Sequence, residues 1–138
     1  MSRGPETTFI NAVHRHLREE VYRMKNHNAY TGGIADCWYS AKKSDLWVEY
    51  KYLEIPKRDD TIIDLMDIKK PYALSALQQQ WLRDRYNEGR PVAVIVGSKN
   101  GGYILTNLNW EIQFSALHMK RELIDRKTIA NWIANETM

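Results

Sequence analysis

Apolar residues recur along this chain in two periods, and the switches between them mark its elements. Near the start, Glu6, Ile10, Val13 and Leu17 are spaced by four, three and four residues, which is one stripe of an α-helix. Phe9 flanks that stripe, and Pro5 suits the first helical turn. The stripe faces a core, so Glu6 begins the buried side. Residues 25–33, KNHNAYTGG, are rich in Asn and Gly and predict a loop. From Gly32 the period shortens. An apolar lead-in ends at Asp36, a polar turn follows at Lys42, Lys43, Ser44 and Asp45, and a strand-like run extends from Leu46 to Leu53. Two such runs joined by a short turn predict a hairpin. Side chains alternate along a strand, so Glu49 and Lys51 share a face and Tyr50 points the other way.

The second half is punctuated by clearer stops. Pro56 ends the strand, and mixed charges fill the segment from Glu54 to Asp67 around Ile62 and Ile63. Ser75 with Gln78 three residues on is a capping box that opens a helix running to about Glu88, with Leu74, Leu77 and Trp81 as its apolar edge. Gly89 closes it. Pro91 to Gly97 is continuously apolar, the pattern of a strand buried on both faces. Gly101 and Gly102 are expected to turn the chain into a neighbouring strand at Tyr103–Thr106. Trp110 to Leu117 reads equally as strand or loop, and Thr128 begins a terminal helix with Ile129, Trp132 and Ile133 on one side. There are no repeats or low-complexity segments, and the alternation of elements is that of an α/β domain with a mixed central β-sheet flanked by helices.

Chemistry concentrates in the hairpin. Folding it back brings Asp36 beside Glu49 and leaves a lysine within reach of both. Two carboxylates and an ammonium on one rim suit a hard cation and a phosphate. Composition changes this picture little. At 138 residues the expectation is a single domain over 1–138. Hydrophobic content of 43% and charged content of 27% are ordinary for a globular chain. No apolar run approaches the roughly 18 residues of a membrane span, and no signal-peptide pattern opens the chain, so a cytoplasmic location is expected. The lone Cys37 fits a reducing compartment and is expected to be a packed small residue. A net charge of +3 permits a nucleic-acid partner without requiring one. His14 and His16 are two apart on the first helix and do not share a face; with Arg15 and Arg18 they are expected to form a solvated basic surface. No CxxC set, histidine pair at ligand spacing or Gly-rich phosphate loop supports zinc or nucleotide chemistry.

Asp36 followed by Glu49-Tyr50-Lys51 resembles the PD-(D/E)XK nuclease superfamily, the restriction-endonuclease-like fold. The leading helix with Glu6 and the segment Leu74-Ser75-Ala76-Leu77-Gln78 are most similar to its VRR-NUC and phage-nuclease branch, which is related to Holliday-junction resolvases. Ala35 stands where that family commonly has proline. The resemblance implies a metal-dependent endonuclease acting on DNA, host-cell cytoplasmic if viral, with a preference for branched or nicked substrates. It implies Mg²⁺, for which Mn²⁺ substitutes, held by Asp36, Glu49, the Tyr50 carbonyl and Glu6. It makes Asp36, Glu49, Lys51, Glu6 and Gln78 the catalytic set. Two of these have plainer readings: Glu6 favours the helix dipole, and Gln78 completes the capping box. Phosphate contacts are expected among Lys25, Tyr30, Lys42, Lys43, Lys57 and Arg58, which lie near the cleft in sequence. A catalytically silent nucleic-acid-binding module is the alternative, although intact Asp36, Glu49 and Lys51 speak against it. A carboxylate-pair glycosidase gives the lysine no task. A homodimer is left open.

Overall fold

The computed structural model describes residues 4–26 and 32–138. In chain order its elements are helix α1 (Pro5–Arg15), strands β1 (Tyr22–Lys25), β2 (Cys37–Ser40), β3 (Asp45–Tyr52) and β4 (Ile62–Ile63), and helix α2 (Ala76–Asn87). Strands β5 (Val92–Ser98) and β6 (Gly101–Leu105) follow, then a 3₁₀ turn at Asn109–Glu111. Strand β7 (Phe114–Ser115) and helices α3 (Ala116–Glu122) and α4 (Arg126–Thr137) complete the chain. Five strands form one mixed sheet in the order β1-β2-β3-β5-β6; β3 and β5 are parallel and every other pair is antiparallel. The two short strands β4 and β7 pair separately.

Helices cover both faces of the sheet, and the parity of β3 decides which core each residue enters. Leu46, Val48 and Tyr50 point to one side, where Phe9, Ile10 and Val13 of α1 and Ile129 and Ile133 of α4 pack. Trp47 and Leu53 point to the other, with Leu82, Trp110, Phe114 and Met119. Removing a side chain such as Phe9 or Ile10 from water contributes about 1.5–3 kcal/mol, so the α1 stripe alone anchors the helix. Strand β5 is buried at all seven positions because both layers press on it. At Gly97 the approach is so close that a Cβ would lie 2.8 Å from the Phe9 ring.

Several elements depart from the sequence pattern. The hairpin forms with the expected turn, but β1 adds to its outer edge where a loop was expected to begin, and Lys25 ends that strand. Tyr30 lies outside the described residues. Gly101 and Gly102 are inside β6, and Lys99 and Asn100 make the turn. The ambiguous Trp110–Leu117 segment is neither one strand nor one loop: it holds part of the 3₁₀ turn, then β7, then the start of α3. Helix α4 starts earlier than Thr128, because Asp125 caps it by accepting the Thr128 N–H at 2.7 Å. Leu77 is 63% exposed and is not part of a buried edge; Leu82 carries the packing of α2 instead.

Candidate active site

Strand register builds the centre of the site. Cys37 pairs with Val48, and continuing the antiparallel register by one step sets Asp36 opposite Glu49. Strand β2 stops there, so the Tyr50 N–H, which parity aims toward β2, has no backbone acceptor ahead of it. The Asp36 carboxylate takes that N–H at 2.9 Å. The Tyr50 carbonyl points to the same side as its N–H. Upstream of Asp36, Gly33, with φ +92°, passes so close to α2 that a Cβ would meet the Leu77 carbonyl at 2.6 Å. Only glycine occupies such a position without strain.

Glu49 is 1% exposed. One of its oxygens, Oε2, accepts from Gln78 Nε2 at 3.0 Å and lies 3.7 Å from Lys51 Nζ. The other, Oε1, is buried and receives no N–H or O–H among the described residues, although a proton shared between the Glu49 and Asp36 carboxyls would give it one. A buried carboxylate in that condition holds a proton or waits for a positive partner. Burial, followed by the Asp36 charge, pushes the Glu49 carboxyl well above the carboxylate range; Lys51 opposes that rise. Glu6 in the first turn of α1 joins the same field. Burial and Asp36 raise its carboxyl from 4.5 to about 7, again opposed by Lys51. A hollow of about 120 Å³ lies beside these groups, lined by Glu6, Thr7, Ile10, Lys25, Asn26, Asp36 and Cys37. The Lys25 ammonium that lines it donates to Asn11 Oδ1.

The two readings of Gln78 coexist in one side chain. Its Oε1 accepts the Ser75 N–H at 2.9 Å and closes the capping box, while its Nε2 donates to Glu49. The cap fixes the first turn of α2, and the amide left over fixes Glu49. Glu6 likewise sits both at a helix start and within the acidic group.

His14 departs from its expected setting and Cys37 keeps it. Lys42 and Lys43 lie in the β2–β3 turn at the opposite end of β3. Lys51 lies six residues beyond Asp45, about 20 Å of strand at ~3.3 Å per residue. The turn is held instead by the Thr137 carbonyl, which accepts the Lys43 and Ser44 N–H groups at 2.9 and 3.0 Å. Arg58 is paired with Asp60 at 3.1 Å on an exposed loop. His14 is not on a solvated basic face: it is half-buried, bonded to Tyr39 Oη at 2.7 Å, and its imidazole is lowered to about 4 by burial and by Arg23 and Lys25. Tyr39 in turn bonds Tyr50 Oη at 2.7 Å. This buried chain braces β3 behind the acidic groups; alternation alone shows that Tyr39 and Tyr50 point inward, not that they meet. Cys37 is buried and its thiol is pushed up to about 12, chiefly by desolvation, which suits packing and not nucleophilic attack.

The oxygen-only character of this donor set fits a hard divalent cation, and the orphaned Glu49 Oε1 gives it a place to bind. Among the described residues, no three acidic, histidine or cysteine side chains stand close enough to form a metal-holding group by themselves. Backbone oxygen and water would complete the shell, as a magnesium site commonly requires. No helix among the described residues is long and apolar enough to cross a membrane.

No family model matches the chain, and no curated protein matches it. Among solved structures the chain is similar to Hjc, a Holliday junction resolvase from the archaeal hyperthermophile Archaeoglobus fulgidus. The two are 9% identical, superpose with a TM-score of 0.52, and the match covers 93% of this chain and 97% of that one. The likeness is one of fold: an α/β architecture with a mixed central sheet between helices.

Proposed function

We propose that this chain is a divalent-metal-dependent nuclease that hydrolyses DNA phosphodiesters, with branched or nicked DNA as the preferred substrate. The observation that carries the reading is the buried Glu49 with its unpartnered Oε1, set beside Asp36, Glu6 and Lys51 at one end of the sheet. A structural role does not account for it: like charges opposite each other on paired strands are destabilising, and burial increases that cost. The preference for branched DNA rests on the fold shared with a Holliday junction resolvase, and the VRR-NUC and phage branch on the Leu74–Gln78 segment.

In this reading Asp36, Glu49, the Tyr50 carbonyl and Glu6 would hold a Mg²⁺ ion. The bound ion supplies Lewis-acid charge at the scissile phosphate and acidifies a water in its shell. The protein's own groups do the remaining work. Gln78 keeps Glu49 from rotating away by holding Oε2. The Tyr50 N–H fixes Asp36. Lys51, its ammonium 3.7 Å from Glu49, is placed to hold the attacking water or a phosphate oxygen and to stabilise the negative charge that grows in the transition state. Glu6, beside Asp36 on the wall of the same hollow, is placed to join the ligand set or to take the proton the attacking water loses.

The deciding experiment incubates pure protein with linear, supercoiled, flapped and four-way DNA, with Mg²⁺, Mn²⁺ or EDTA. Metal-dependent cleavage, strongest on the branched substrates, is expected. Binding without cleavage under every metal condition would favour the silent-module alternative.

A further inference from the structure

Two hollows open at the carboxyl ends of β3 and β5, and they share a wall. The first, about 370 Å³, is lined by Tyr52, Leu53, Glu54, Ile55, Lys57, Ser98, Lys99 and Asn100. The second, about 560 Å³, is lined by Pro5, Thr8, Phe9, Ala12, Arg15, Tyr52 and Arg126. Tyr52 belongs to both, and Arg126 links them a second time by donating to the Ser98 carbonyl at 3.2 Å while lying over the Phe9 ring. Tyr52 directly follows Lys51 at the end of β3, with its side chain on the opposite face of the sheet, against Phe9.

The charge in these hollows is one-sided. Lys57, Lys99, Arg15 and Arg126 line them against one carboxylate, Glu54. Elsewhere some cations are ion-paired, Arg18 with Glu20, Arg58 with Asp60, Arg83 with Glu111, Arg85 with Glu88 and Lys120 with Asp59. Others, Lys42 and Lys43 among them, stand exposed without an ion pair among the described residues. Lys57, Lys99, Arg15 and Arg126 differ in lining adjoining hollows. The side chains of Lys57, Lys99 and Arg15 have no ion pair or hydrogen bond among the described residues. Unpaired cations gathered along a concave surface repel one another and are poised for a polyanion.

We propose that the hollows on either side of Tyr52 form one continuous trough that seats the phosphate backbone of a DNA strand as it leaves the acidic cluster. Lys57 and Lys99 contact phosphates on one side of Tyr52, and Arg15 and Arg126 on the other. Arg126 is already oriented by Ser98 and Phe9, so it loses little freedom on binding. Tyr52 presents a ring edge to a sugar or base at the divide. This placement rests on the nuclease reading above, and it assigns the DNA path to the loops after β3 and β5 and away from the Lys42–Lys43 turn.

The test measures binding of a fluorescent four-way DNA junction in EDTA over a series of salt concentrations. The variants are Arg15→Ala/Lys57→Ala/Lys99→Ala and, as the control from the far end of the sheet, Lys42→Ala/Lys43→Ala. All five side chains are exposed, so circular dichroism and melting should be unchanged. The triple variant is expected to flatten the salt slope by about 0.9 for each phosphate left without its cation, and to bind roughly a hundredfold more weakly near 0.1 M salt. The control should match the parent. A parent that binds with a steep salt slope, beside a triple variant that binds equally well, overturns the trough while leaving the nuclease reading intact. A parent that neither binds nor cuts DNA in Mg²⁺ or Mn²⁺ overturns both.

Discussion

Replacing Glu6 by Gln should stabilise the metal-free protein, because burial, and after it the Asp36 charge, penalises an ionised Glu6 when no cation is bound. Burial and Asp36 hold the folded Glu6 carboxyl at about 7, against 4.5 in its ordinary state. The folded pKa is the higher one. Below about pH 4.5 both folded and unfolded chains keep the proton, and the fold bears no penalty. Between 4.5 and 7 the unfolded chain releases its proton first, so stability falls as pH rises. Above 7 the full cost is present. At about 1.4 kcal/mol per pH unit that cost has an upper bound on the order of 3 kcal/mol. Glu6 is only half-buried, and solvent screening reduces the figure to roughly 1–2 kcal/mol. Glutamine mimics the protonated acid and removes the cost. For a chain of this size the gain corresponds to a rise in Tm of about 3–8 °C. Thermal melts in EDTA, followed by circular dichroism near pH 8 and near pH 4, supply the comparison. The variant should melt higher near pH 8 and level with the parent near pH 4. Adding Mn²⁺ should then stabilise the parent more than the variant, because only the parent keeps all its acidic groups. A variant that melts no higher near pH 8, or gains equally at both pH values, would show that burial and Asp36 do not strain an ionised Glu6, and the reasoning would fail.

Two further substitutions separate chemistry from architecture. Lys51→Ala should abolish most cleavage in single-turnover assays while keeping DNA affinity within a few-fold, since its interactions belong to the transition state; parent-like rates would move the active site elsewhere. Gln78→Glu keeps an oxygen for the Ser75 N–H but turns a carboxylate toward Glu49 in place of the donated N–H. Helix content should survive while cleavage falls at least tenfold, and a variant that cuts normally would reduce Gln78 to a cap.

The Gln78 side chain shows how far local rules reach. A capping box is a short-range pattern, so Ser75 with Gln78 was readable as a helix start. The bond from the same amide to Glu49 joins residues 29 apart in sequence, and only the packing of α2 on the sheet sets it. The hairpin was legible for the same local reason, and with it the shared face of Glu49 and Lys51. Strand β1 was not: its four residues alternate only between exposed and half-buried, as an edge strand does, and leave little apolar signal. His14 looked like part of a basic surface because its neighbours in sequence are basic, yet its environment is set by Tyr39, 25 residues away.

Periodicity and turn chemistry act within a few residues, and so the sequence by itself determined the α/β class, the main helices, the buried strand β5 and the pairing that brings Asp36 to Glu49. Sequence proximity misled where distance along a strand mattered, as with Lys42 and Lys43, which the rigid length of β3 carries to the far end of the sheet. Tertiary structure alone decided that Glu6 comes near Asp36, that Glu49 is sealed from water, and that Lys57 and Lys99, from the segments after β3 and β5, line one hollow. Those features depend on which strand lies beside which and on the parallel pairing of β3 with β5. That pairing is a long-range choice made by the burial of both faces of the sheet, and no local run of residues encodes it.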